Sequence, residues 1–172
     1  MKFSNLWHRC RWLLALVLGT QAHAHAPSFT PNPEIQKIAE AYALDARDFA
    51  ERAFHITLDW SDASVRQVEA ILDDLYRQKQ VMKPPPTDEQ VLMFAKMLGS
   101  YVGEVFRRNH GAEWGMVKFG GDSIPGLRAA GGTEHLFWPM GKVKKRLENG
   151  PEDNVWHYYQ DLAGIPPEQR RW

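Results

Sequence analysis

The spacing of apolar residues changes once along this chain, after Asn109, and that change constrains the fold more than any other feature. Before it, three segments repeat apolar residues at three- and four-residue steps, as one face of an amphipathic helix requires. These segments cover residues 33–54, about 61–76, and 87–106. Residues 61–64 offer several N-cap oxygens to the second, and Thr87 with Gln90 forms a capping-box pattern before the third. We therefore predict three N-terminal helices.

Beyond Asn109 the pattern has the two-residue period of strands. Residues 113–119 alternate large apolar residues with small or polar ones, and shorter strands are expected near residues 127–130 and 135–138. Residues 120–123 and 124–126 carry turn signals. A basic helix over 139–147 follows, and Pro151 is suited to start the last helix. The predicted fold class is α+β, with three N-terminal amphipathic helices, a small antiparallel sheet and C-terminal helices.

The first 26 residues have the composition of a secretory signal. Lys2, Arg9 and Arg11 precede the apolar run at residues 12–18, and small residues suited to cleavage end at Ala24 and Ala26. Because Pro27 disfavours the second position, we predict a signal peptide over 1–24 and a single α+β domain over 25–172. The apolar run is shorter than the ~20 residues that span a bilayer. We thus expect a periplasmic or secreted bacterial protein with no transmembrane segment after cleavage.

Charge and cysteine content exclude several classes of function. The chain has 21 basic and 21 acidic residues, and the segment removed would take three basic residues and no acidic one. The mature domain is then mildly acidic, which disfavours a nucleic-acid partner. Cys10 would be removed as well, so no disulfide or thiol nucleophile is expected. A terminal His25 could chelate copper, but no other histidines stand at ligand spacing. We predict no metal site and no cofactor.

The most distinctive block spans residues 98–115. Gly99 and Gly103 lie four residues apart, on one face of the third predicted helix, where each costs ~1 kcal/mol relative to alanine. Close packing of another backbone would explain both. The block resembles a bacterial domain family of undescribed function, marked by a G-x-Y-x-G-E-V helix, a glycine turn and a tryptophan strand. Segments 137–139 and 149–153 are also similar, so the resemblance covers roughly residues 60–162. It implies the fold, and an occurrence beside toxin and immunity genes.

Glu104 in the same block is the candidate catalytic acid or base. Arg107 or Arg108 stands at the spacing that pairs with it on a helix. A structural ion pair pinning the helix to the sheet is the favoured interpretation, because most such networks are structural. A catalytic role would require a partner such as His110. Asp122 and His135 are further candidates for that partner by residue type, although nothing in their spacing requires them to converge on Glu104. The common hydrolase and nucleotide-binding motifs are absent from the sequence.

The C-terminal half holds the candidate binding residues. Four charges fall within residues 142–146, too many for one side of a helix, so they should surround it. A solvated helix rim is the default interpretation, and an anionic partner is the alternative. Aromatic residues follow at 156, 158 and 159, and not all of them can be buried in one direction. The residues that we expect to contact a partner are Trp138, Lys144, Arg146, Trp156 and Tyr158.

Three classes of function remain open from the sequence. The first is an exported protein that acts by protein–protein interaction in the envelope, for example an immunity-type inhibitor of a toxin. The second is an envelope enzyme that uses Glu104 with Arg107 or His110. The third is an assembly factor of the envelope, which sequence does not separate from the first. We favour protein–protein interaction, because catalytic motifs are absent from the sequence and because of the family resemblance.

Overall fold

The computed structural model describes residues 27–119, 121–130 and 135–166. The described residues form α-helices α1 to α5 and strands β1 to β4. The helices are Pro33–Phe54 (α1), Asp62–Val81 (α2), Asp88–Phe106 (α3), Pro139–Asn149 (α4) and Val155–Ala163 (α5). The strands are Ser28–Pro31 (β1), Ala112–Phe119 (β2), Asp122–Ala129 (β3) and Leu136–Phe137 (β4). The predicted α+β class is confirmed. Helices α1 to α3 precede strands β2 to β4 in the sequence, and helices α4 and α5 follow them.

Capping residues set where the N-terminal helices begin. The Asn32 side chain accepts from the backbone at the start of α1, and Ser61 does the same for α2 by accepting from the Ser64 N–H. Thr87 and Gln90 form the predicted capping box of α3. Each cap satisfies backbone N–H groups that have no partner within the helix. The three predicted helix starts are therefore correct.

The sheet is a meander in the order β1-β2-β3-β4, with every neighbouring pair antiparallel. In the long β2–β3 pair, Trp114 faces Leu127, and both side chains are buried. Their side chains join Phe137 of β4 in the hydrophobic core. The sheet therefore turns one face of its central strands toward the helices.

Helix α3 runs through the centre of the molecule. It packs between α1 and α4, and its second half, from Met97 to Phe106, is buried throughout. The apolar faces of the other helices close on it, and the core includes Ala43 of α1, Ile71 of α2 and Val143 of α4. A helix that is buried on all sides must hold its polar groups in internal networks, and this requirement shapes the site described below.

The structure corrects three details of the predicted element boundaries. The expected turn at residues 124–126 is wrong, because β3 continues through them and Pro125 pairs with Met116. On the other side of β3, the residues that pair with β4 are Leu127 and Arg128. The N–H that Pro125 lacks therefore interrupts no hydrogen bond between β3 and β4. Pro151 starts a short 3₁₀ turn, and α5 begins later with Asn154 as its cap. β1 at the sheet edge was not predicted at all.

The two glycines of α3 are sites of close packing; another backbone approaches Gly99, as the sequence predicts, whereas side chains approach Gly103. A Cβ on Gly99 would overlap the backbone of Met140 in the first turn of α4. A Cβ on Gly103 would overlap the Trp114 ring and lie 2.8 Å from Leu127 Cδ1. Gly99 thus lets helix approach helix, and Gly103 lets the helix approach the sheet through a tryptophan side chain.

Replacement of Gly103 by leucine should destabilise the protein by ~1–3 kcal/mol or more, because the added atoms have no space beside Trp114. Chemical denaturation of the variant measures the change in the free energy of unfolding. Gly141→Leu is the matched control, since Gly141 is an exposed helical glycine whose Cβ would only touch Trp138 Cβ at 3.6 Å. Melting of both variants within a degree or two of the wild type would show that the α3 glycines have no packing role.

The division of the chain at residue 24 stays a prediction, because residues 1–26 lie outside the described residues. Within the described ranges, the structure contains no helix with the length and apolar character needed to cross a membrane.

Candidate functional site

Glu104 lies at the junction of α3 with the sheet and is completely buried. Its carboxylate accepts from Arg107 through Nε and Nη2, both at 2.9 Å, and from Arg108 Nε at 3.2 Å. The Trp114 indole Nε1 of β2 donates to the same carboxylate at 2.8 Å. A structural ion pair was the favoured interpretation of the sequence, and its contacts are present. Both arginines pair with Glu104, and the hydrogen bond from Trp114 connects the helix to the sheet.

These donors hold Glu104 in its charged form. Burial raises the pKa of the carboxyl, but hydrogen bonds from Arg107 and Trp114 and the charges of both arginines outweigh it, and the net pKa is lowered. The pKa of Arg107 is raised mainly by its hydrogen bond to Glu104. Arg107 also reaches Glu40 of α1 at 3.2 Å. A buried carboxylate whose oxygens accept four N–H groups is poorly placed to take a proton from a substrate.

His110 does not join Glu104 but pairs with Asp62, at the first residue of α2. Its Nε2 lies 3.1 Å from both carboxylate oxygens of Asp62. Tyr159 of α5 donates to Asp62 Oδ1 at 2.6 Å, and Asn109 donates at 2.8 Å. Burial by itself raises the pKa of Asp62. The hydrogen bonds from Tyr159, Asn109 and His110 have the larger combined effect, so the net pKa is lowered. This cluster joins three separate segments at the surface and was not predicted, since its members are far apart in the sequence.

The other suggested partners of Glu104 do not lie beside Trp114. Asp122 is the first residue of β3, paired with Phe119 at the hairpin end, whereas Trp114 faces Leu127. Five residues separate Asp122 from Leu127, or about 16 Å along an extended strand. His135 precedes β4 and lines a small cavity with Phe106 and Leu162. The contacts of Glu104 are therefore with Arg107, Arg108 and Trp114, and Arg107 links it to a second carboxylate, Glu40.

Two of the five expected binding residues are buried, and the expectation that they are exposed is wrong. Arg146 is only 1% exposed, because its guanidinium donates to Glu69 of α2 at 2.7 Å and to Asp73 at 2.9 Å. Trp156 is 2% exposed and stacks near Tyr159 in the core. Neither side chain can centre an interface on this surface.

Glu69 completes the Arg146 network from the other side. Its second oxygen accepts from the backbone N–H of Val155, the first residue of α5, at 2.7 Å. One buried ion pair therefore connects α2, α4 and α5. The sequence shows no pairing signal for these groups, because 77 residues separate Glu69 from Arg146.

Lys144 occupies the exposed side of α4. It pairs with Glu148 one turn later, and its side chain is 43% exposed. The four charges of residues 142–146 do surround the helix, since Arg146 turns inward while Lys144 faces solvent. This pair is an ordinary surface ion pair, of a kind that contributes ~0–1 kcal/mol.

Trp138 and Tyr158, the remaining expected binding residues, line one open groove of about 310 Å³. The residues that define this aromatic–lysine groove are Ile124, Trp138, Gly141, Lys142, Lys145 and Tyr158. Lys142 lies over the Tyr158 ring at 5.7 Å, and Ile124 is 42% exposed. Burial raises the pKa of Tyr158 to about 12, against a hydrogen bond to the Trp138 backbone that lowers it. The groove thus combines an aromatic wall, an exposed apolar residue and two lysines.

Lys142 and Lys145 belong to the basic cluster singled out in the sequence, but Ile124 and Gly141 were not identified as binding residues. Ile124 lies in the segment that was expected to be a turn. Gly141 carries no side chain and gives no sequence signal. The three-residue step from 142 to 145 was the available indication that these two lysines share a face.

Among the described residues, no group of three or more His, Cys, Asp or Glu side chains is arranged to hold a metal ion. A second, apolar groove of about 230 Å³ lies between the ends of α2 and α3. Its walls include Leu75, Met82, Val91 and Phe94. Nothing in the structure indicates the chemistry of an occupant for it.

Comparison with known proteins supports the fold and the family. Residues 70–159, more than half of the chain, match the family described as "Domain of unknown function (DUF3806)". The chain belongs to this family, and the expected membership of a domain family of undescribed function is confirmed. The matched range includes the glycine helix, Trp114 and the groove. The toxin-gene context that the resemblance implies is not tested by this match.

A solved structure from Bacteroides thetaiotaomicron is similar to this chain, with a TM-score of 0.58. The similarity covers 83% of this chain and 49% of the other, at 13% sequence identity, so the chain spans about half the length of that structure. At this identity the likeness concerns the fold alone. The curated proteins include no match to the sequence.

Proposed function

We propose that this protein is exported to the periplasm and acts there by binding another protein through the aromatic–lysine groove. The proposal depends on one observation. Two aromatic residues, Trp138 and Tyr158, line the same open groove as two lysines, Lys142 and Lys145. Aromatic side chains commonly anchor protein interfaces because they bury a large area with few rotatable bonds. With Arg146 and Trp156 in the core, Trp138 and Tyr158 are the aromatic anchors that remain from the sequence analysis.

Export is supported by the pattern of residues 1–26. The basic front, the short apolar run and the small residues ending at Ala24 have the order of a secretory signal. Since no cysteine remains after cleavage at this position, the periplasmic domain would depend on core packing for its stability.

An immunity-type inhibitor of a toxin is the particular form of binding that we propose. The family resemblance implies neighbouring toxin and immunity genes, and a small domain with an open groove for a protein partner suits that role. An envelope assembly factor would use the same groove and would have a different partner. An adjacent toxin gene would favour the inhibitor over the assembly factor.

The enzyme alternative has weaker support from the geometry. It requires Glu104 to act with Arg107 or His110, yet Glu104 is buried under four N–H donors and His110 pairs with Asp62. A carboxylate held in its charged form by two arginines is suited to connect elements, and less suited to exchange protons.

Affinity capture from periplasmic extract tests the proposal. The wild-type bait, shown by intact mass to lack residues 1–24, should retain one stoichiometric partner. Tyr158→Ala and Trp138→Ala should each weaken that partner's binding by ~2 kcal/mol, or about 30-fold, because both line the groove. Leu44→Ala is the matched control, since Leu44 is an exposed apolar residue of α1.

Melting curves of the same variants show whether each bait is folded. A partner that binds the folded groove variants as tightly as the wild type would place the interface elsewhere. A full-length product confined to the cytoplasm would exclude the periplasmic part of the proposal.

A further inference from the structure

We propose that the aromatic–lysine groove recognises a carboxylate-bearing segment of its partner, in which an apolar side chain lies beside glutamate or aspartate. This inference rests on the proposed protein-binding function and specifies the chemistry of the partner. The groove offers an apolar surface, from Trp138, Tyr158 and Ile124, next to positive charge on α4. An acidic and apolar segment matches both features.

Lys145 is the more exposed of the two lysines that line the groove. Lys142 is already paired with Asp153 at 2.8 Å, and both side chains are only about a fifth exposed. The charge of Lys145 also lowers the pKa of Asp153, after the larger effects of Lys142 and Asn149. Because Lys142 is engaged with Asp153, the exposed Lys145 is the lysine available to pair with an external carboxylate.

The first turn of α4 adds partial positive charge on the same side. Its N-cap residue, Trp138, makes no capping hydrogen bond with its side chain, and the first helical residue is Pro139. Gly141 lies in that turn, where a helix provides no internal acceptor for the backbone N–H, and it lines the groove. A carboxylate held by Lys145 would lie near this N–H.

The Trp138 side chain lines the groove, and its indole N–H lies beneath the surface. Its indole Nε1 is buried and has no hydrogen-bond acceptor among the described residues. Because this N–H belongs to a side chain that lines the groove, its NMR signal can report on occupation of the groove.

Titration of the ¹⁵N-labelled protein with two short peptides tests this chemistry without the natural partner. Acetyl-Glu-Leu-Glu-amide should shift the Trp138 indole N–H in a saturable way. Acetyl-Gln-Leu-Gln-amide should bind about tenfold more weakly, because it has the same shape without the carboxylates. Lys145→Gln should remove most of that preference, whereas Lys144→Gln, on the exposed side of α4, should retain it.

Equal affinity for the two peptides, no saturable shift, or the same loss of preference in both lysine variants would overturn the inference. Partner capture separates this failure from failure of the proposed function. A captured partner that depends on Tyr158 but not on Lys145 would leave protein binding in place and exclude carboxylate recognition. Selective peptide binding without any captured protein would support the chemistry and count against a protein partner.

Discussion

Replacement of Glu104 by glutamine is expected to lower the free energy of unfolding by ~1–3 kcal/mol or more, because it leaves buried hydrogen-bond donors without their acceptor. The amide would offer one oxygen where the carboxylate accepts from Arg107, Arg108 and Trp114. It would also place its own N–H donors against theirs. Chemical denaturation at neutral pH measures the loss, and partner affinity of the folded fraction should be nearly unchanged.

Acid titration adds a second measurement on the same variant. The pKa of Glu104 is lowered in the folded protein, so its contribution is present above the ordinary carboxyl pKa and is lost as the pH falls through the lowered value. The wild type should therefore lose its advantage over Glu104→Gln in strong acid. Glu40→Gln is the control, because Glu40 is partly exposed and meets Arg107 only through one oxygen at 3.2 Å. A Glu104 variant that is as stable as the wild type but inactive would favour the enzyme alternative.

Replacement of Arg146 by methionine should cost ~3–5 kcal/mol, since it leaves Glu69 buried without its cation. The cation also holds Asp73, so α2 would lose two contacts with α4. Thermal and urea unfolding measure the effect. Lys144→Met is the matched control on the same helix, and it should change stability by less than ~1 kcal/mol because its ion pair with Glu148 is exposed.

A double variant shows whether the Arg146 cost comes from the unpaired charge. Glu69→Gln in the Arg146→Met background should recover part of the lost stability, because it removes the buried anion while keeping an acceptor for the Val155 N–H. An Arg146→Met variant as stable as the Lys144→Met control would instead mean that the buried pair does not hold these helices together.

The sequence was sufficient to predict elements whose signals are local. Helix α1 begins and ends at the residues that the apolar spacing and Pro33 indicated. The capping box of Thr87 and Gln90 and the cap at Ser61 involve residues three apart, so they can be recognised without knowledge of the fold. The packing at Gly99 and Gly103 was also predictable in kind, since glycines on one helix face allow close approach.

Features that depend on distant pairing were missed or misjudged. β1 has four residues and gains its ladder from β2, more than 80 residues later in the chain. Pro125 gave a turn signal, but the register with Met116 keeps it in a strand. The direction of Arg146 could not be read from its neighbours, because the carboxylates that draw it into the core lie on α2.

Sequence patterns were sufficient for the α+β class, the approximate positions of the helices and the pairing of Glu104 with nearby arginines, because these depend on contacts between residues a few positions apart. Sequence patterns were not sufficient to predict which charged and aromatic side chains are buried. Arg146 and Trp156 were expected at the interface but lie in the core. Lys142 and Lys145 line a groove together with the aromatic side chains of Trp138 and Tyr158. Burial depends on what packs against a residue from elsewhere in the chain, and residue type and spacing carry little information about that partner.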